Sequence, residues 1–282
     1  MLYPASTPKE NNAFGWFKQL GKKYDIEVEI DFFENLSLPL SSLPDIVVMR
    51  GYDDILSQSF EQQGIRVVNS TLSMSLSRNK METQRIMEQV GVRVPKTLYF
   101  GEQDIEMNVE TLFADLVLEL GVPFIAKELS GSKGENVFLV RSFAELREVL
   151  YSVKDVPALD KLLFQEFIES SCGRDVRAWV VDGEVVASVL RYNKNSFKSN
   201  FAQGGEAFPY ELPESGKEMA IKASAALGLD FAGVDLLFGG NAEDEFVLCE
   251  VNGNAGFRTA AFVYGENNPV PESLIRFLAK NC

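Results

Sequence analysis

The 282 residues carry a formal net charge of −14, are 46% hydrophobic and 24% charged, and include no histidine. That balance describes a folded globular protein long enough for two or three packed units. The acidic field repels a nucleic-acid backbone, and the missing imidazole excludes Ser-His-Asp triads, His-ligated metals and histidine bases.

The chain opens on "MLYPASTPKENNAF", which lacks the basic and apolar regions of a secretory leader. Up to residue 76, short β-branched runs alternate with helix-length amphipathic segments: "LYPAS", "NNAFGWFKQLGKKY", "EVEIDFF", "DIVVMR", "DDILSQSFEQQG" and "IRVVNS". This alternation predicts a small N-terminal parallel α/β domain over 1–76. "LSRNKMETQRIMEQVG" predicts a helix ending at Gly91, with Pro95 beyond it.

From 77 to 164 the pattern is strand "TLYF", helix "VETLFADLVLELG", strand "PFIAKEL", a Gly/Ser turn, strand "NVFLV", helix "SFAELREVLYSV" and strand "LLFQEFI". Two short strands around a glycine-bearing turn predict a hairpin, hence an α+β subdomain with antiparallel sheet. From 165 to 282, "DVRAWVVDGEVVASVLRYN" carries Asp182-Gly183, a type I′ hairpin signal. Helix "ESGKEMAIKASAALG", strand "FAGVDLLF", strand "EFVLCEVN" and helix "PESLIRFLAK" complete a second α+β subdomain. Cys172, Cys249 and Cys282 are too scattered for a disulfide framework or a zinc site. No apolar run approaches the roughly 18 residues of a membrane span. The expectation is a cytoplasmic protein with no membrane partner and no nucleic-acid partner.

Three stretches carry candidate chemistry. Along "EFVLCEVN", a side-chain period of two places Phe246, Leu248, Glu250 and Asn252 on one face. Asp235 interrupts the preceding strand, and the connecting loop makes the two strands antiparallel neighbours. The three oxygen-bearing residues then suit a hard cation; acids reaching solvent at a strand end are the alternative. In "PFIAKELSGSKGENVFLV", Lys127 shares a face with Ile125 and Leu129, and Gly131 and Gly134 let backbone N–H groups close on phosphate oxygens. A plain glycine hairpin with an outward-reaching lysine reads equally well. In "GRDVRAWVV", Asp175, Arg177 and Trp179 share a face, while a strict two-residue turn leaves Arg191 on the opposite one. Either a bulge intervenes or the two arginines do not act together.

In this order, "NSTLSMSLSRNK", "PFIAKELSGSKGENV", "FQEFIESSCGRDVRAWVVDGEVVASVLR", "FKSNFAQGG" and "FAGVDLLF…CEVNGNAGF" resemble the ATP-grasp superfamily. The likeness is to its RimK-type and LysX-type carboxylate–amine ligases. It implies an ATP-grasp fold, α/β plus α+β, in which the two α+β subdomains clasp ATP. It also implies Lys80 and Lys127 on the phosphates under the turn that carries Ser132 and Gly134. Glu166 and the backbone of Phe167 and Ile168 would hold adenine, and Asp175 the ribose. Lys198, Ser199 and Asn200 match the loop that approaches the phosphates, and Asp235, Glu250 and Asn252 match the metal trio for Mg²⁺ or Mn²⁺.

The implied reaction activates a carboxylate with the γ-phosphate of ATP and lets an amine attack the acyl phosphate, releasing ADP and phosphate. Arg177 and Arg191 are the candidates for contact with the acyl phosphate, and no histidine is required. Substrates would be a small carboxylate and amine, or a peptide or protein acceptor, and a homo-oligomer is compatible with the fold. Three departures stand out: Ala255 replaces the family's frequent proline, Glu135 and Asn136 replace a further glycine, and the first strand is short. Arg50, at a strand end, is a candidate for an acceptor carboxylate or a plain surface cap. The alternatives to a ligase are a kinase on the same fold and a nucleotide-binding regulatory protein without turnover.

Overall fold

The computed structural model describes residues 1–4, 6–7, 12–36, 43–100, 108–129, 136–152, 162–199, 204–240, 242 and 244–282. Its first elements are β1 (Leu2–Tyr3), α1 (Asn12–Lys23), β2 (Asp31–Phe32), β3 (Ile46–Val48), α2 (Asp54–Gln62) and β4 (Arg66–Val68). β1 pairs in parallel with β2 and β3 with β4, and Leu2 bridges to Met49. Short strands suffice because Leu2, Val47, Met49, Phe60, Ile65 and Val67 bury together beneath α2.

Two helices follow, α3 (Thr71–Arg78) and α4 (Lys80–Gln89), where the apolar pattern predicts one. The break is Asn79. Its backbone is extended at ψ 99°, and its side-chain oxygen accepts from the N–H groups of Met81 and Glu82. A local Asn cap here outcompetes continuation of the helix, and it starts α4 on Lys80.

The middle sheet comprises β5 (Thr97–Tyr99), β6 (Phe124–Glu128), β7 (Val137–Val140) and β8 (Leu162–Glu166) in the order β5-β8-β6-β7, all antiparallel. α5 (Val109–Leu120) and α6 (Phe143–Ser152) cover one face, and Leu112, Leu116, Phe124, Leu146 and Phe164 form the core between them. Alternation then turns Ile125, Lys127, Leu163 and Gln165 to the opposite face, into a cleft.

The last sheet is β9 (Arg174–Val181), β10 (Glu184–Tyr192), β11 (Glu206–Pro209), β12 (Phe231–Phe238) and β13 (Phe246–Asn252), in the order β11-β10-β9-β12-β13. Asp182 and Gly183 turn the β9–β10 hairpin with φ of 52° and 74°, the positive pair that a type I′ turn requires. α7 (Glu214–Ala226) packs over Val176, Val180, Val234 and Leu236. The opposite face buries Trp179, Val189 and Phe231 with α9 (Pro269–Ala279), and Phe17 of α1 joins that cluster. α8 (Arg258–Tyr264) and β11 have no counterpart in the sequence reading, β11 being four residues that end on a proline. Among the described residues, no helix is long and apolar enough to cross a membrane.

Candidate active site

A cleft of about 220 Å³ runs between the middle sheet and the last one, with α4 at its edge. Its floor depends on two bulges. After the tight turn, Val180 lies opposite Val185, but Trp179 lies opposite Ala187, so Val186 is an extra residue in β10. The shift places Arg191 opposite Asp175 and returns it to the face that carries Arg177. The bulge alternative is therefore the one realised.

A second bulge sits in β13. Asp235 lies opposite Glu250, while the next residue of β12, Leu236, lies opposite Leu248, leaving Cys249 over. This corrects the period-two expectation of one shared face. Phe246 and Leu248 pack in the core with Leu236 and Phe238, whereas Glu250 and Asn252 share the other face with Asp235 and Gly233; of these, Asp235 and Glu250 line the cleft, and Asn252 lies just beyond the lining. Gly233 has to be glycine, because a Cβ there would lie 2.5 Å from the Cβ of Ala255 in the turn folded against it.

Four charges meet on this floor. Arg177 donates from Nε to Asp235 Oδ1 and from Nη2 to Oδ2, both at 2.6 Å. Arg191 donates from Nε and Nη2 to the two oxygens of Asp175, and its Nη2 also lies 2.9 Å from Asp235 Oδ2. All four side chains are at most 15% exposed, and two cations balance two anions. Burial works against the charge on Arg191, but Asp175 and Asp235 outweigh it and hold the guanidinium above its ordinary pKa. Burial likewise disfavours the Asp235 carboxylate, and Arg177 and Arg191 overcome it to keep that group below the usual carboxylate range. Cys249, on the bulge, has its thiol pushed up to about 12 by burial.

Lysines line the other wall. Lys127 projects from β6, and Lys80, first residue of α4, donates to the Leu129 carbonyl at 2.9 Å. Burial pulls the Lys80 ammonium below its ordinary value; Glu250 opposes this, and the like charge of Lys127 adds to it. Two ammonium groups that repel each other inside one cleft favour a polyanionic ligand. Lys198 sits over the Phe197 ring at 5.6 Å and is also lowered by burial, with Ser199 buried beside it.

At the far end Glu166 accepts from the Lys96 backbone N–H at 2.8 Å, and its own N–H donates to the Lys96 carbonyl. Phe167 and Ile168 follow it along the lining. Arg174, absent from the sequence reading because it alternates away from Asp175 and Arg177, also lines the cleft, stacked 4.3 Å over Phe238. Arg50 lies outside the lining, its Nη2 donating to the Ala255 carbonyl at 2.8 Å. Ser132, Gly134 and Asn200 lie outside the described residues.

The model for the RimK-like ATP-grasp domain matches residues 77–268. The chain belongs to the RimK-like ATP-grasp family. It is similar to N-acetylaspartylglutamate synthase A of Mus musculus, 35% identical over 230 residues, 78% of this chain and 58% of the relative. It is also similar to a probable alpha-L-glutamate ligase of Psychromonas ingrahamii, 29% identical over 82% of this chain and 72% of that one. The chain thus spans little more than half the length of the synthase. Among solved structures, the RimK domain protein ATP-grasp from Sphaerobacter thermophilus superposes with a TM-score of 0.71 at 19% identity, covering 98% of this chain and 97% of that one. That likeness carries the ATP-grasp fold.

ATP-grasp ligases use a divalent cation, and the donor set here fits one. Of the roughly four acceptor positions on a carboxylate, the arginines occupy three on Asp235 and leave one on Oδ1. Glu250 is exposed to the cleft, and Asn252 Oδ1 accepts one bond, from Asn254 N–H, of the two it can take. Among the described residues, no group of three or more His, Cys, Asp or Glu gathers into a metal cluster. Two carboxylates and an amide, with phosphate and water supplying the rest, suit Mg²⁺ better than Zn²⁺.

Proposed function

We propose that this chain is an ATP-dependent carboxylate–amine ligase that forms an amide through an acyl phosphate. The observation that carries the reading is a single cleft with lysines on one wall and, on its floor, carboxylates interlocked with two buried guanidiniums. Lys80 and Lys127 bind phosphate oxygens, and the Glu166–Ile168 edge receives the base. Asp235, Glu250 and Asn252 would hold Mg²⁺ or Mn²⁺, which supplies charge neutralisation on the phosphates. Asp175 enters as the counter-ion of Arg191, since both its oxygens are bonded there.

The carboxylate oxygen attacks the γ-phosphorus, the bond to the β-phosphate oxygen breaks, and ADP leaves. Arg177 and Arg191 stabilise the charge on the resulting acyl phosphate; fixed by Asp235 and Asp175, they need little reorganisation as that charge develops. The amine nitrogen then attacks the acyl carbon, inorganic phosphate departs, and the ammonium proton passes to phosphate or water.

Glutamate is the first amine to test, because it is named in the probable ligase and in the synthase that resemble this chain. The carboxylate partner is a small acid or a peptide terminus. We place the reaction in the cytoplasm, where MgATP is abundant and the three cysteines remain thiols, as they are in the structure. The test is phosphate release from MgATP with glutamate against a panel of acids and peptides. The reading expects release only when both substrates are present. Phosphate transferred to an acceptor without an amine would make the protein a kinase instead.

A further inference from the structure

The turn after Asn252 is held by its carbonyls. The Gly253 carbonyl accepts from Asn69 Nδ2 at 2.7 Å, the Ala255 carbonyl from Arg50 Nη2 at 2.8 Å, and the Gly256 carbonyl from Trp179 Nε1 at 3.2 Å. Asn69 is 3% exposed and does more. The same Nδ2 donates to the Phe231 carbonyl, and its Oδ1 accepts from the Phe231 N–H at 2.9 Å. One buried amide therefore ties the beginning of β12 to the residue that follows the end of β13. Those two strands carry Asp235 and Asn252.

Arg50 adds a second hold. Its guanidinium lies 4.5 Å from the Phe257 ring centroid and 5.3 Å from that of Phe231, so its donor to Ala255 is braced by both rings. Asn69 and Arg50 lie one and two residues beyond the carboxyl ends of the parallel strands β4 and β3 respectively. The N-terminal α/β unit thus presses the carboxyl edge of its sheet onto the turn that orients Asn252. That turn holds Ala255, and the direct hydrogen bonds fix its path without a proline.

We propose that Asn69 and Arg50 are positioning residues for the divalent cation, acting through the 253–257 turn on Asn252 and Glu250. The N-terminal unit then sets metal affinity. The inference rests on the metal role of Asp235, Glu250 and Asn252 in the proposed function. Groups that orient metal ligands without touching the metal alter affinity by about 10–100-fold when removed.

The experiment is calorimetric titration of ADP into the full chain, with Mg²⁺ and again in EDTA, for the wild type, Arg50→Met, Arg50→Lys and Trp179→Phe. The wild type should bind ADP more tightly with Mg²⁺. Arg50→Met should cut that Mg²⁺-dependent gain by about tenfold, leaving ADP affinity in EDTA within about twofold. Arg50→Lys, which keeps a cation and a donor, should restore part of the gain. Trp179→Phe keeps an aromatic ring but removes the donor to Gly256 together with part of the buried indole volume, so its folded state is first checked by circular dichroism; it then reports on the turn if Arg50→Met fails to fold, and a smaller Mg²⁺-dependent gain is expected there too. A folded Arg50→Met or Trp179→Phe protein with the full wild-type gain overturns the inference while sparing the ligase reading. A raised KM for the acid or amine with an unchanged gain overturns it in favour of a substrate-carboxylate contact at Arg50. No Mg²⁺-dependent gain in the wild type overturns both.

Discussion

Arg191 and Arg177 share one acceptor: each places an Nη2 within 2.9 Å of Asp235 Oδ2. One carboxylate therefore holds both arginines at the floor of the cleft, and Asp175 fixes the outer side of Arg191. This arrangement separates the effects of mutations at the two acids assigned to the metal.

Replacing Asp235 with Asn removes the charge between two buried guanidiniums. The variant should lose all turnover and also about 3–5 kcal/mol of stability, the usual cost of breaking a buried ion pair from one side. Urea denaturation followed by circular dichroism measures the second effect, and a midpoint equal to the wild type would refute the buried-cluster account.

Glu250→Gln behaves differently. Glu250 is exposed to the cleft, so its stability should stay within about 0.5 kcal/mol of the wild type. Turnover should nevertheless disappear, and excess Mn²⁺ should restore only a small part of it. Normal phosphate release would remove Glu250 from the metal set.

Lys127→Ala should weaken ADP binding by about tenfold, in line with roughly 1.5 kcal/mol for a charge-assisted hydrogen bond. Calorimetry at constant magnesium reads this directly. Unchanged affinity would leave Lys127 as an ordinary sheet lysine.

The pH dependence of ADP binding follows from Lys80, whose ammonium is depressed by burial. Because its folded-state pKa lies below the ordinary lysine value of about 10.4, the charge is lost earlier than usual as pH rises. ADP affinity should accordingly fall on the alkaline side below the ordinary lysine range, and Lys80→Met should flatten that limb, leaving any part that belongs to Lys198, which burial also lowers. For stability the sign is opposite: the depressed pKa makes Lys80 favour folding as pH rises through its folded value, so its titration weakens binding without itself destabilising the fold.

Most of the element order, the type I′ turn and the alternation that aims Lys127 at the cleft are legible in the sequence, because hydrophobic period and turn chemistry are local properties; β11, α8 and the break between α3 and α4 are not. The identity of the acidic and basic residues on the floor is legible too. Their grouping is legible in part: Asp235 is expected beside Glu250 and Asn252, as the register places it, but the side that Arg191 takes and the turning away of Phe246 and Leu248 are not. Val186 and Cys249 look like ordinary strand residues, and nothing in "EVVASV" or "VLCEV" announces that each is an extra residue that moves its neighbours to the other face. Asn79 carries a readable cap signal inside an apolar pattern that predicts one helix, and in the structure the cap wins. Asn69 is hidden for another reason: its partners at Phe231 and Gly253 are 162 and 184 residues away.

The central claim is the acyl phosphate, and the direct measurement is isotope transfer. An acid substrate labelled with ¹⁸O in both carboxylate oxygens is incubated with MgATP, glutamate and the protein, and the released phosphate is analysed by mass spectrometry. The account predicts one ¹⁸O in each phosphate, with the other retained in the amide. Amide formation with unlabelled phosphate, or phosphate release with no amide, would contradict it.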